Sequence, residues 1–413
     1  MRTPAGYQRW KAYRRASGAW QRSRLEHHYL ARRERYAAEA RQRGLSYREG
    51  QVCGAIGARL GARGYTPPVR PMGKVHTFAF IPRISWHCAL YSDLHELGPV
   101  TEFDYVKSGH QIEDLRGVDD KAGARRDDIN SRMLSALRAA HNRRPVDWLF
   151  AYANGWEIQA DAIREVVEEL GIPTVNMCLD DKQSWTGPWL GKQRAGQIDI
   201  GPAFDVSWTS ARVACEWYLV EGARPIYLPE GFDMHTFRPM PLERDIPVSF
   251  VGADYGFRPD VIEHLKDCGI PVRAFGPGWG AGSVTGDDQV AVFNRSRINL
   301  GMGGIGCSED LTNVKTRDFE VPGTGGGVYL TSFNADLAQH FEIGQEVVCY
   351  GNRAELIELA RYYLGRPEEA DDIAQRGRER CLAQHRWLHR YQRILAILGV
   401  LKDSAGSRPS AVM

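Results

Sequence analysis

From residue 75 to residue 365 short apolar runs alternate with longer amphipathic ones. Val75–Ile81, Val100–Tyr105, Val146–Tyr152, Pro173–Leu179 and Phe204–Thr209 are rich in β-branched and aromatic residues and have strand length. Between them, Ile163, Val166, Val167 and Leu170 fall at helical spacing and stop at Gly171. Helices are also predicted over Trp86–Leu97, Ile129–His141 and Ala211–Glu221, and a short strand over Ile226–Leu228. The pattern restarts after Pro239-Met240-Pro241. Strands at Val248–Val251, Val272–Phe275, Ile298–Gly301, Val328–Thr331 and Glu346–Tyr350 alternate with helical stretches at Pro259–Cys268, Val290–Ser296, Ala335–Phe341 and Ala354–Leu364. Helical material over Glu368–Gly399 closes the chain.

Such alternation implies parallel sheets with helices on both faces. Two successive doubly wound domains would place a ligand cleft between them, at the carboxyl ends of the strands. Residues 1–50 read as a helix, broken by Gly44 and by the glycines of Gly54–Gly64, and Thr66-Pro67-Pro68 with Pro71 reads as a linker. The expected organisation is a basic helical extension and linker (1–72), a Rossmann-like acceptor domain (73–238), a Rossmann-like nucleotide-sugar domain (239–380), and a closing helix and tail (381–413).

At 413 residues the chain is too long for one ordinary domain. No stretch reaches the roughly 18 uninterrupted apolar residues of a membrane span, and the Arg-rich start lacks the apolar core of a secretory signal. The eight cysteines are scattered without a C-x-x-C pair, which suggests free thiols in a reducing compartment. A cytoplasmic location is expected. The net charge of +2 conceals an asymmetry: residues 1–50 hold thirteen Lys and Arg against four Glu, an excess of nine, so the remainder is acidic by seven. With Trp10, Tyr13, Trp20 and Tyr29 interleaved, this arm could pack on its own domain, lie peripherally on an anionic membrane, or bind nucleic acid. Packing is the first expectation and nucleic acid the last.

Leu311–Thr331 gathers Lys315, Arg317, Glu320 and the glycines Gly323, Gly325, Gly326 and Gly327 ahead of an apolar run. Glycines let a backbone approach a ligand closely. Cations at a helix start attract phosphate, and a fixed carboxylate can accept hydrogen bonds from sugar hydroxyls. A nucleotide-sugar pocket and a Gly-rich turn beside solvated charges both fit the stretch.

Several further segments carry a resemblance. Val251-Gly252, Arg258, Phe275-Gly276-x-Gly278-Trp279, Asn294-Arg-Ser-Arg-Ile-Asn-Leu300 and Lys315-Thr-Arg-Asp-Phe-Glu320 follow one another in a familiar layout. With Leu179-Asp180-Asp181, Phe204-Asp205-x-x-Trp208-Thr-Ser210 and Tyr227-Leu-Pro229-x-Gly231-x-Asp233, the chain over residues 75–395 resembles the CgeB-like, spore-maturation-protein branch of glycosyltransferase group 1. The resemblance implies an α/β GT-B fold, two Rossmann-like doubly wound domains facing across a cleft, and a hexosyltransferase-type enzyme of cell-surface polysaccharide. It places a nucleotide-diphospho-sugar on the second domain and a glycan, lipid-linked or protein acceptor on the first. It implies that Arg258 touches the donor diphosphate, Glu320 the ribose, Gly325–Gly327 the phosphates, and Phe275–Trp279, with Gly252 and Gly276, the neighbourhood of the base. Two positions depart from the family pattern. Ala253 stands where many members carry Arg, a loss Lys315 or Arg317 could make good. Thr312 stands where they carry a first acid, which Glu309 or Asp310 could replace.

Glycosyl transfer expels a diphosphate anion, so stabilising the leaving group is the main catalytic task. No Asp-x-Asp occurs in the chain, so no metal and no cofactor is expected, and Arg258, Lys315 and Arg317 suit the task instead. The pairs Asp180-Asp181 and Asp287-Asp288, like His27-His28, read as loop or surface residues and not as metal ligands. Asp181 is the expected catalytic contact from the first domain, with His87 and Asp180 beside the acceptor. His385, Trp387, His389 and Arg390 resemble the family's closing aromatic and basic helix, a structural element. A dehydrogenase is disfavoured because Phe80-Ile81-Pro82-Arg83 stands where G-x-G-x-x-G would follow the first strand. A non-catalytic GT-B-like nucleotide or sugar binder is the alternative from another class.

Overall fold

The computed structural model describes residues 4–401, and side chains from Trp20 onward with the exception of Ser85. Trp10 and Tyr13 of the expected aromatic arm therefore lie outside the described side chains. The chain forms two compact units. The C-terminal unit holds the chain up to Arg35 and Glu230–Arg386; the N-terminal unit holds Tyr36–Pro229 and the chain from Trp387 on.

A 39-residue helix, α1 (Pro4–Gln42), opens the chain and crosses from the first of these to the second. It stops ahead of Gly44, which takes φ 64°. Helix α2 (Glu49–Ala62) follows, across the glycines that were expected to break helical structure. Its Val52, Ile56 and Leu60 are buried at i, i+4 and i+8. That packed stripe outweighs a penalty of about 1 kcal/mol per glycine.

Next come β1 (Thr77–Phe80), α3 (Ala89–Leu97) after a 3-10 turn at Ser85–Cys88, β2 (Val100–Phe103), α4 (Ile112–Leu115), α5 (Asp120–Arg143) and β3 (Trp148–Tyr152). Then α6 (Ala160–Glu165) ends in a π turn closed by Gly171 at φ 63°. The unit continues through β4 (Thr174–Cys178), α7 (Asp181–Ser184), α8 (Gln197–Ile200), β5 (Val206–Thr209), α9 (Ala214–Val220) and β6 (Pro225–Tyr227). The six strands form one parallel sheet in the order β2-β1-β3-β4-β5-β6. Each of the five residues of β4 is buried, as a central parallel strand requires.

In the C-terminal unit β7 (Ile246–Val251), α10 (Arg258–Asp267), β8 (Val272–Phe275), α11 (Gly286–Arg295) and β9 (Ser296–Leu300) are followed by an antiparallel hairpin, β10 (Gly304–Ile305) and β11 (Ser308–Thr312). The strand and helix periodicities did not foretell this hairpin. Then come α12 (Arg317–Thr324), β12 (Val328–Ser332), β13 (Val348–Tyr350), α13 (Arg353–Leu364) and α14 (Pro367–Gln384). The parallel sheet runs β13-β12-β9-β7-β8. Helix α15 (Trp387–Ile397) buries Trp387, Tyr391 and Ile394 in the apolar layer of the N-terminal unit with Trp148, Phe150 and Trp208. The closing helical stretch is thus two helices belonging to different units.

In each parallel sheet the strand order reverses beside the first strand: between β1 and β3 in one, between β7 and β9 in the other. Crossovers leave on opposite sides there, so a crevice opens at the carboxyl ends of those strands. No helix among the described residues is long and apolar enough to cross a membrane.

Candidate functional site

In the C-terminal unit the switch point lies where β7 ends and Gly252 begins the turn into α10. Close backbone packing shapes this turn. Gly276, at φ 130°, would bring a Cβ within 2.4 Å of the Gly252 carbonyl oxygen, and Gly252 N–H donates to the Phe275 carbonyl at 2.8 Å. Trp279 Nε1 donates to the Gly252 carbonyl at 2.7 Å, fixing the indole over the end of β7.

Arg258 opens α10 and is 8% exposed. Its guanidinium lies 4.1 Å from the Tyr255 ring centroid and 5.5 Å from that of Phe250, and Nη1 donates to the Ala253 carbonyl at 3.2 Å. Burial lowers its pKa, and Arg317 adds repulsion. Arg317 opens α12 and donates from Nη1 to the carbonyl of Val251, at the tip of β7. Two guanidiniums therefore converge on one strand end, each at a helix N-terminus, where backbone N–H groups also favour an anion. The buried Nε of each has no hydrogen-bond partner in the structure. Beside Ala253, Arg258 donates to its carbonyl, and Arg317 reaches the carbonyl of Val251 two residues before it.

Glu320 lies one turn into α12, 3% exposed, with Oε2 3.9 Å from Arg317 Nε. Burial pushes its pKa up to about 7; Arg317 opposes the shift, and the carboxylates of Asp233 and Asp318 add to it. Lys315 precedes the helix, partly exposed. Its backbone N–H donates to Asp318 Oδ2 at 2.8 Å, and Tyr329 Oη donates to Asp318 Oδ1 at 2.6 Å. Asp318 thus clamps the first turn of α12 to β12, and its burial raises its own pKa. Asp233 accepts from His235 N–H at 3.0 Å and Thr236 Oγ1 at 2.5 Å. Neither Asp233 nor Asp318 stood among the expected site residues.

Gly252, Gly276, Trp279, Arg258, Lys315, Arg317 and Glu320 are accordingly on the carboxyl side of this sheet. Gly325, Gly326 and Gly327 are not. They follow the C-terminus of α12 and lead into β12, which puts them at the amino side. A Cβ on Gly326 would lie 2.3 Å from the Phe293 carbonyl oxygen, and one on Gly327 would lie 2.1 Å from that of Ser296. The expectation that they flank donor phosphates is corrected: they let a helix-to-strand turn pass close under α11 and β9. Phe275 also departs from expectation. Its side chain is buried in the apolar cluster with Val251, Val290 and Phe293 and is not open to a base. Of the two replacements for the missing acid, Glu309 is paired with Arg353, whose Nε lies 3.1 Å away, and Asp310 is exposed on β11.

In the N-terminal unit His87 sits in the 3-10 turn after β1, at that sheet's switch point. Its ring packs edge-on against Trp86 at 4.8 Å and Tyr152 at 4.9 Å. Burial lowers its pKa to about 4, so the imidazole is neutral at neutral pH. Asp180 is exposed at the end of the turn after β4. Asp181 is wholly buried, accepting from Thr209 Oγ1 and from Tyr218 Oη at 2.7 Å. Burial raises its pKa to about 6. With both oxygens held by its own unit, Asp181 ties the start of α7 to β5 and α9; the expectation of a catalytic contact is corrected.

No curated protein matches the sequence. Among solved structures, the chain is similar to AviGT4, a glycosyltransferase involved in avilamycin A biosynthesis, with TM-score 0.52 at 14% identity over 80% of this chain and 98% of that one. Anabaena Alr3699/HepE, in complex with UDP and glucose, gives 0.51 at 11% over 79% and 100%. The N-terminal domain of Candida albicans trehalose-6-phosphate phosphatase gives 0.52 at 10% over 81% and 98%. At such identities the likeness concerns the fold, and with two parallel sheets in two units that fold is GT-B. Residues 258–396 match the family described as glycosyl transferase-like.

Proposed function

We propose that the protein is a glycosyltransferase that moves a sugar from a nucleotide-diphospho-sugar to a glycan, lipid-linked or protein acceptor, without a metal and with retention at the anomeric carbon. The observation that carries this reading is the pair Arg258 and Arg317. Both open helices at the switch point, and each keeps a buried Nε without a hydrogen-bond partner. Such a pair suits a diphosphate whose negative charge grows as the glycosidic bond breaks. Lys315, partly exposed just ahead of α12, adds a third cation. Glu320, one turn along, is placed to accept hydrogen bonds from ribose hydroxyls. Retention rests on the group 1 resemblance alone. The complexes of HepE with UDP and UDP-glucose support testing a uridine donor first.

The engagement of Glu309 by Arg353 favours one alternative, a non-catalytic nucleotide or sugar binder, because it removes one stand-in for the missing acid. A membrane-proximal acceptor is part of the main reading. It is supported by the basic excess of residues 1–50 and by Trp20, 63% exposed beneath Arg24.

Calorimetry and thermal shift with UDP, GDP, ADP and dTDP, each with and without Mg²⁺, test the proposal. One nucleotide should bind without the metal, and Arg258→Ala should weaken it. Hydrolysis of the matching nucleotide-sugar then separates enzyme from binder. If no nucleotide binds, the proposal is lost.

A further inference from the structure

In the N-terminal unit the segment between α7 and α8 forms a small hairpin. Trp189 and Arg194 bridge in antiparallel fashion, and Leu190 N–H donates to the Gln193 carbonyl at 2.7 Å. Ala195 N–H donates to the Pro188 carbonyl at 2.9 Å, and Gly196 N–H to that of Thr186 at 2.8 Å.

The hairpin is built into the unit from below. Gln193 Nε2 donates to the carbonyls of Ile158 at 2.8 Å and Gly155 at 3.2 Å, while its Oε1 accepts from Ala160 N–H at 2.8 Å. Gly155 is packed so tightly that a Cβ would lie 2.2 Å from the Arg194 carbonyl oxygen. At the hairpin base Trp185 is buried and donates from Nε1 to Tyr36 Oη at 2.8 Å. Gly155, Ile158 and Ala160 follow β3, and the hairpin itself follows β4, so it stands on the carboxyl side of the sheet.

This anchoring holds one side chain outward. Trp189 is 59% exposed, with the Arg194 guanidinium 4.8 Å from its ring centroid and Lys192 exposed three residues on. An indole left this open to water forgoes much of the stabilisation that burial would give it. An exposed indole with Arg194 over one face, and Lys192 exposed on the same hairpin, fits a pyranose ring that bears a carboxylate or phosphate. The ring's C–H face stacks on the indole, and the acid meets Lys192 and Arg194. A bilayer would draw on several apolar side chains, whereas Trp189 is the one large exposed apolar residue of this hairpin.

We propose that hairpin 185–196 is a binding platform for an acidic saccharide. Its reading as an acceptor platform rests on the proposed transferase function; saccharide binding itself does not. The probes are an oligogalacturonate, maltoheptaose as a neutral control, and phosphatidylglycerol vesicles, each tested on the full chain alongside nucleotide binding. The oligogalacturonate should bind, with affinity falling about tenfold in Trp189→Ala and less in Lys192→Gln. Nucleotide affinity and circular dichroism should be unchanged in both variants. The platform is overturned if the oligogalacturonate is not bound, if Trp189→Ala leaves its affinity intact, or if vesicles alone are bound through Trp189. Loss of nucleotide binding in wild type would instead sink the transferase reading and leave a saccharide result standing.

Discussion

Glu320 is a carboxyl that the fold keeps from water, one turn from the helix-start cation Arg317. Its pKa of about 7, against an ordinary 4.5, means that the folded chain holds a proton which the unfolded chain has released between those values. Stability from this group therefore falls as pH rises from about 4.5 to about 7 and stays low above that window. We expect Glu320→Gln to be more stable than wild type at pH 8, by up to about 3 kcal/mol, and equal to it below pH 4.5, as measured by urea unfolding. The same variant should bind nucleotide more weakly. At Arg258, substitution by Ala should weaken nucleotide binding by about ten- to a hundredfold, because a charge-assisted contact is worth about 1.5–3 kcal/mol. Calorimetry reads both effects. Lys315, Arg317 and Glu320 stood out in the chain as charges gathered ahead of a glycine cluster, and Arg258 through the family resemblance. Asp318 did not. Its meaning comes from Tyr329, eleven residues away, which only the α12–β12 turn brings to its carboxylate.

Two glycine-rich elements behave in opposite ways. Gly54 in α2 is exposed and a Cβ there would meet nothing within 4 Å. Gly54→Ala should therefore raise stability by about 0.4–1 kcal/mol, through the entropy of the unfolded chain. Gly327 is the reverse case, with carbonyl oxygens of Ser296 and Arg297 at 2.1 and 2.4 Å from a built Cβ. Gly327→Ala should cost about 1–3 kcal/mol of stability yet leave nucleotide affinity intact in the folded fraction. Thermal melts with and without nucleotide decide this. An unchanged affinity fits a turn, and a lost one would return Gly325–Gly327 to the phosphates. The composition of these two stretches is alike, so sequence alone could not separate them. What differs is whether another backbone passes close by.

At the scale of the molecule, nucleotide binding should be confined to one unit. Hydrogen exchange should slow at residues 252–258 and 315–320 when nucleotide is added, and stay unchanged across the six-stranded sheet. At ligand one hundred times its Kd, the stabilisation is about 2.7 kcal/mol. The alternation of apolar runs and helical faces was enough, without coordinates, to determine two parallel doubly wound sheets, because strands buried on both faces leave a continuous apolar signature. The sequence also singled out Arg258 and Arg317, which the structure places at the starts of α10 and α12. Tertiary structure alone decided the rest. It sent α14 and α15, one helical stretch in the chain, to different units. It made α2 a helix through the burial of Val52, Ile56 and Leu60, and it turned Asp181 and the three glycines of the αβ turn into packing residues. In each case the outcome depends on groups distant in sequence, whose burial and hydrogen bonding exist only once the chain has folded.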